Sequence, residues 1–273
     1  MKEFKSFYNE VGGNEGGKCH YNKRLDLYGR GCQHDCSYCY AKSLLSFRGL
    51  WDEKEPAVAD IAKVERKIAK LPAGTIVRLG GMTDCFQPME RQLHITYEAI
   101  KLLNKYRIGY LIVTKSDLIC EYMDILDKDL AHIQVTITWA PCEKAVNTER
   151  RIRAVETLND AGFDVAVRLS PFIPQFVNYD RLNNIRCDKI IVEFLRVNHW
   201  IKQWLPLDYS DYTVKQSGYE HLPLSKKIEY LAKITGYDQV SVCEDVTEHY
   251  EYWREAVDYN KADCCNLRLE VKS

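Results

Sequence analysis

Short runs rich in β-branched residues alternate with helical stretches about six times along this chain, and that alternation restricts the fold more than any other feature. Strands that rejoin one sheet through intervening helices run parallel with right-handed crossovers. The strand pattern falls at 24–28, 75–79, 109–114, 133–139, 163–169, 189–195 and 239–243. Helices are expected at 58–71, with Asp60 in the first turn, and at 90–106, where Leu93, Tyr97, Ile100 and Leu103 form one apolar face. Asp117 is expected to cap a helix running to about Asp127, and Asn147 or Thr148 to start one that ends at Gly162. Later helices are expected at 223–235 and 248–259. An open doubly wound sheet and a partial (β/α)6 barrel both satisfy this order, and periodicity does not choose between them. With no linker or repeat in 273 residues, one domain over 1–273 is expected. Its first part, 1–24, reads as a flexible leading segment around Gly12-Gly13-Asn14-Glu15-Gly16-Gly17, and 196–273 as a lid and C-terminal extension.

The densest chemistry follows the first strand, in Gly31-Cys32-Gln33-His34-Asp35-Cys36-Ser37-Tyr38-Cys39-Tyr40. Cys32, Cys36 and Cys39 can turn three thiolates onto one small object. Zinc sites usually bring paired knuckles or histidines to reach four ligands, and iron–sulfur clusters normally take four thiolates. Three local ligands with no obvious fourth point to a cluster with one metal corner left for chemistry; buried or zinc-binding cysteines are the plainer alternative. The 11 cysteines are odd in number and no signal peptide is evident, which implies a reducing, cytoplasmic setting. No apolar run reaches 18 residues, so no membrane span is expected. A net charge of −1 argues against a broad phosphate-binding face, and stable duplex nucleic-acid binding is not expected.

Working residues in parallel α/β folds project from the C-terminal ends of strands. Gly80 and Gly81 let the backbone approach a ligand, and Asp84 can accept from an ammonium group; a tight turn is the alternative. Lys115 can meet a carboxylate, and Thr136 or Thr138 can offer a hydroxyl. Arg168 can hold a carboxylate or phosphate in two-pronged fashion. Glu193 interrupts an apolar run, which is costly unless it is paired, so it reads as a substrate group or the partner of Arg168. The irregular, aromatic stretch 196–222, with His199, Trp200, Trp204, Tyr209, Tyr212 and Tyr219, reads as a lid or as packing over the barrel mouth. Glu244 and Asp245 can take amine or amide donors. Cys243, Cys264 and Cys265 read as buried thiols or as reactive ones, with no compact group of four left for a second cluster. Cys19 and His20 read as a surface thiol and a solvated imidazole.

The cysteine motif resembles that of the radical S-adenosylmethionine (SAM) superfamily. The variant Gly-Cys-x-His-x-Cys-x-Tyr-Cys-Tyr is similar to that of its spore photoproduct lyase-like branch. The resemblance implies an α/β fold, a partial (β/α)6 TIM-like barrel of parallel strands with a C-terminal extension. It also implies a [4Fe–4S] cluster on Cys32, Cys36 and Cys39, with SAM chelating the free iron. Tyr38, Gly80, Gly81, Thr83, Asp84, Lys115, Thr138 and Arg168 are then expected around SAM. Gly80 to Asp84 resembles the glycine-rich SAM-amine motif, with Thr83-Asp84 where many members carry Glu. The implied chemistry is one-electron cleavage of SAM to methionine and a 5′-deoxyadenosyl radical that takes hydrogen from a substrate C–H bond. An electron donor such as flavodoxin or ferredoxin goes with it. Cys265 is expected to return hydrogen to a substrate radical, as a cysteine is thought to do in spore photoproduct lyase. Glu193 is expected to act at the reacting centre, and Glu193, His199, Glu244 and Asp245 to bind substrate. The expected activity is that of a lyase on a small nucleoside or nucleotide. The bacterial queuosine lyases, which release queuine from queuosine or its 5′-phosphate, are the best resemblance. Repair of a nucleic-acid lesion and a non-catalytic metal-binding module are the other readings.

Overall fold

The computed structural model describes residues 4–11, 19, 21, 23–52, 56–140, 147–265 and 267. Its strands are β1 (Phe7–Tyr8), β2 (Arg24–Leu25), β3 (Tyr28–Gly29), β4 (Ala57–Val58), β5 (Ile76–Leu79) and β6 (Gly109–Thr114), followed by β7 (Ala131–Ile137), β8 (Asp164–Phe172), β9 (Lys189–Phe194), β10 (Val214–Gln216), β11 (Tyr219–His221) and β12 (Gln239–Val242). An eight-stranded sheet runs β1-β2-β5-β6-β7-β8-β9-β12, and only the β1–β2 pairing in it is antiparallel. This is the expected partial barrel. Every residue of β7 is buried, as a strand covered on both faces must be. Alternation sorts the faces: Ile133, Val135 and Ile137 join the main apolar core, while Gln134 and Thr136 on the same strand are buried polar groups.

The helices are α1 (Tyr40–Phe47), α2 (Ile61–Ile68), α3 (Glu90–Leu93), α4 (Ile95–Lys105), α5 (Thr148–Asp160), α6 (Tyr179–Asn183), α7 (His199–Trp204), α8 (Leu224–Leu231) and α9 (Thr247–Ala256). Asp60 and Asn147 cap α2 and α5 by accepting from Lys63 N–H at 3.1 Å and Arg150 N–H at 3.0 Å, so Asp60 lies one step before the first turn. The helix expected over 90–106 is two helices. His94 takes a left-handed φ of 50°, and the buried Glu90 carboxylate turns back to accept Thr96 N–H at 2.9 Å and Tyr97 N–H at 3.1 Å, capping α4. The helix expected from Asp117 is a short 3-10 turn, Asp117–Tyr122. Ser116 caps that turn, its Oγ accepting Leu118 N–H at 3.3 Å, while the Asp117 carboxylate pairs with Arg150 at 2.6 Å.

Three further expectations change. The leading segment supplies an edge strand, since β1 pairs with β2; its Gly12–Gly17 run and His20 lie outside the described residues. The strand expected at 24–28 divides, with Arg24–Leu25 in the main sheet and Tyr28–Gly29 pairing with β4 in a separate ribbon. The stretch 196–222 contains α7 and an antiparallel β10–β11 hairpin. Beyond α9 the chain returns to the barrel: Leu267 packs with Tyr21 and Leu111, and Ile76, Val113 and Cys265 adjoin them.

Candidate functional site

The cysteine loop is folded by its own turns and clamped by neighbouring strand ends. Asp35 N–H donates to Cys32 C=O at 3.3 Å, and Cys39 N–H to Cys36 C=O at 3.2 Å. Cys39 is the N-cap of α1, and its sulfur accepts Lys42 N–H at 3.3 Å, a position that favours negative charge. Gln33 N–H donates to Gln87 Oε1 at 2.9 Å, while Gln33 Oε1 accepts Met89 N–H at 2.6 Å. Asp84 ties the loop to the end of β6. Its Oδ2 accepts from His34 Nε2 at 3.1 Å and Lys115 N–H at 2.6 Å, and its Oδ1 from Thr114 Oγ1 at 2.8 Å and Phe86 N–H at 2.9 Å. Burial opposes the charge on Asp84, yet His34 and these donors hold its carboxyl down to about 2.

The loop fits an iron–sulfur cluster better than one zinc ion. Burial pushes the Cys32 thiol up to about 12, and the Cys39 thiol is raised by the same cause, so both need a strongly electrophilic metal to persist as thiolates. Thiolates on one zinc stand roughly 4 Å apart, given Zn–S bonds of ~2.3 Å. Among the described residues, Cys32, Cys36 and Cys39 do not form a trio with ligand atoms within 4.8 Å of one another. All three border the same cavity, as sulfurs placed on separate corners of a cluster would.

That cavity has a volume of about 760 Å³ and opens at the C-terminal ends of the parallel strands. Gly80 and Gly81 form its near wall. Gly80 holds φ +73°, and a Cβ there would sit 2.7 Å from Thr83 C=O. Gly81 N–H donates to the buried Asp26 carboxylate at 2.8 Å, and Gly81 C=O accepts from Tyr40 OH. Across the cavity runs a chain of paired charges. Arg168 donates to Gln134 Oε1 at 2.8 Å and to Glu193 Oε2 at 2.6 Å; Ser170 Oγ adds a bond to the same oxygen at 2.8 Å. Arg196 reaches Glu193 Oε1 at 3.5 Å, pairs with Asp245, and lies over the rings of Tyr40 and Tyr219 at 4.7 and 5.7 Å. Burial alone would raise the Glu193 carboxyl, but Arg168 and Arg196 bring it down to about 2. Six cationic side chains line the cavity (Arg24, Arg48, Arg78, Lys115, Arg168 and Arg196) against four carboxylates (Asp84, Glu193, Glu244 and Asp245).

The cavity brings together most of the residues singled out from sequence: the three loop cysteines, Gly80, Gly81, Thr83, Asp84, Lys115, Arg168, Glu193, Glu244 and Asp245. Tyr38 lines a smaller adjoining pocket, with Lys115 Nζ 5.7 Å above its ring. Others sit elsewhere. Thr138 is buried, donating to Pro171 C=O at 3.4 Å, and Thr136 is the strand residue that faces the cavity. His199 is exposed on α7 and bonds Gln203 at 3.0 Å. Cys264, not its neighbour Cys265, borders the cavity together with Cys243. Glu244 touches the cavity, but its oxygens accept from Lys227 Nζ at 2.5 Å, Trp253 Nε1 at 3.2 Å and the Asp245 and Val246 N–H groups at 3.0 Å. Sequence reasoning missed Arg24, Arg78, Arg196 and His221. The pattern that revealed Arg168, a charge inside an apolar strand, was present for Arg78 in Ile76-Val77-Arg78-Leu79.

The family model of the radical SAM superfamily matches residues 27–183, more than half of the chain. An uncharacterised protein of Methanocaldococcus jannaschii is 27% identical over 164 residues, covering 55% of this chain and 60% of that protein's length. A structure of spore photoproduct lyase complexed with a dinucleoside spore photoproduct superposes with a TM-score of 0.59 at 16% identity, over 81% of this chain and 76% of that one. Streptococcus suis SuiB bound to SAM gives a TM-score of 0.52 at 12% identity, over 87% and 53%. These likenesses establish the barrel. The family uses a [4Fe–4S] cluster and SAM. By the match across its barrel and cysteine loop, the chain belongs to the radical SAM superfamily.

Proposed function

We propose that this protein is a radical SAM lyase for a small nucleoside or nucleotide. Queuosine and queuosine 5′-phosphate are the leading substrates, with cleavage of the N-glycosidic bond to release queuine. The observation that carries this reading is a cavity with surplus positive charge and aromatic faces beside the cysteine loop, in a chain whose net charge is −1. When bound, the cluster and SAM supply one-electron chemistry that lets a carbon radical take hydrogen from a substrate C–H bond.

The chain's own residues then bind, orient and keep water out. Cys32, Cys36 and Cys39 would hold three corners of the cluster. Gly80 and Gly81 offer backbone at close range to the SAM amine, and Lys115 or Arg168 a cation to its carboxylate. Asp84 has four protein donors already, so its part is to fix the loop against β6. Tyr40 and Tyr219, bridged by Arg196, suit a flat heterocycle, and Glu193 and Asp245 its amine donors. The free space is within the usual range of ~300–1,000 Å³ for small-molecule sites. A flavodoxin or ferredoxin would supply the electron.

The test is an anaerobic assay of the cluster-loaded protein with SAM, dithionite and queuosine 5′-phosphate, followed by mass spectrometry. Queuine that forms only with SAM present supports the full reading. 5′-Deoxyadenosine without queuine moves the substrate to another nucleotide, and neither product from loaded protein overturns the catalytic reading.

A further inference from the structure

A second group of thiols meets where the returning C-terminal segment touches the last strand. Ligand atoms of Asp263, Cys264 and Cys265 lie within 4.8 Å of one another, the single such trio of His, Cys, Asp and Glu found among the described residues. Cys243, just beyond β12, borders the same cavity as Cys264 and stands near enough to raise its thiol. We infer that Cys243, Cys264, Cys265 and Asp263 form a site for one thiophilic divalent cation of the zinc class.

Spacing and surroundings support a single ion. Ligand atoms on one zinc stand roughly 3.5–4 Å apart, so this trio needs only small side-chain rotations to close. Thiols exclude magnesium or calcium as the natural occupant, since those ions take oxygen ligands. The carboxylate is already aimed: Asp263 Oδ2 accepts Tyr21 OH at 3.0 Å and Leu267 N–H at 3.2 Å, and Oδ1 accepts Cys265 N–H at 2.9 Å. One lone-pair position of Oδ1 stays available to an ion. Arg168 and Gln134 stand near Cys265, and the buried Gln134 Nε2 has no hydrogen-bond partner. Such outer donors orient metal thiolates and offset their negative charge. Three thiolates and a carboxylate make a closed set, which fits a structural ion. It would staple the C-terminal segment to β12 and to the inward faces of β5 and β6, where Cys265 and Leu267 pack. A metal-bound thiolate carries no S–H hydrogen, so this site and hydrogen return by Cys265 are mutually exclusive.

The test uses anaerobically purified protein with its iron–sulfur cluster in place, which blocks the loop cysteines. After incubation with Zn²⁺ and desalting, zinc and iron are counted by elemental analysis. The expected result is about one zinc per chain beyond the cluster iron, falling roughly tenfold or more in Cys264→Ser and Cys265→Ser with iron unchanged. Cys120→Ser, at a thiol near α5, should keep full zinc. Because the serine variants can fail to fold, wild-type protein is also titrated with Co²⁺, expected to give the visible bands of tetrahedral thiolate coordination. Any of four results overturns the site: no such bands, less than about a tenth of a zinc per wild-type chain, full zinc in both serine variants, or a native disulfide among Cys243, Cys264 and Cys265. Extra iron held by these thiols in place of zinc overturns the choice of ion.

Discussion

Asp84 concentrates four donors on one buried carboxylate, and three of them come from the loop or from the end of β6. Removing it leaves His34, Thr114 and the Lys115 N–H without their shared acceptor at the cavity wall. Asp84→Ala is therefore expected to destabilise the protein by roughly 3–5 kcal/mol and to lower cluster iron, read by urea unfolding and an iron assay. A wild-type midpoint would mean that the loop is held elsewhere. Cys36→Ala should abolish both the cluster's visible absorption and 5′-deoxyadenosine formation; full iron with intact SAM cleavage would remove Cys36 from the ligand set. At this scale sequence located residues well and their roles unevenly. The Arg168–Glu193 pair was legible because an acid inside an apolar strand has to find a cation. Glu244 looked alike in sequence, yet Lys227 and Trp253, remote in sequence, consume its oxygens.

Elements were legible where the signal is local. The helix start at Asn147 and the buried parallel strands follow from neighbouring residues alone, whereas Asp60, expected inside the first turn, is the cap one step before it. The break at His94 was not, because it depends on Glu90 reaching past it, and the β1 edge depends on pairing with residues far along the chain. The turn after β5 combines both kinds of cause. Gly80 has a left-handed φ, and a Cβ there also meets Thr83 C=O at 2.7 Å, whereas Gly74, at φ +76°, has nothing within 4 Å. Gly74→Ala thus measures the backbone cost alone, expected near 1 kcal/mol. Gly80→Ala should cost roughly 1–3 kcal/mol more and weaken SAM binding, which Gly74→Ala should leave unchanged. Equal losses in the two variants, by thermal unfolding and SAM titration, would show that the turn's close contact carries no weight.

At the scale of the whole molecule, a chain of net charge −1 gathers six cations around one cavity, and the C-terminal part packs against it through buried ionisable groups. His221 of β11 is one of them, 3% exposed, between Lys227 of α8, Glu244 beyond β12 and Arg196 beyond β9. Burial, reinforced by Lys227, brings its imidazole down from 6.5 to about 4. The folded protein therefore prefers neutral His221. Its contribution is complete above the unfolded value near 6.5 and is lost as pH falls towards 4. At pH 5 the loss from this group alone is about 2 kcal/mol. Asp164, held down to about 2 against its own burial by His132 and Lys189, loses its contribution only below roughly pH 4, so the two windows separate. His221→Gln removes the upper window. Between pH 7.5 and 5, at matched cluster content, wild type should lose about 2 kcal/mol more stability than this variant in urea unfolding. Parallel losses would mean that His221 is solvated in the folded protein, and that the C-terminal part does not seal the cavity on that side.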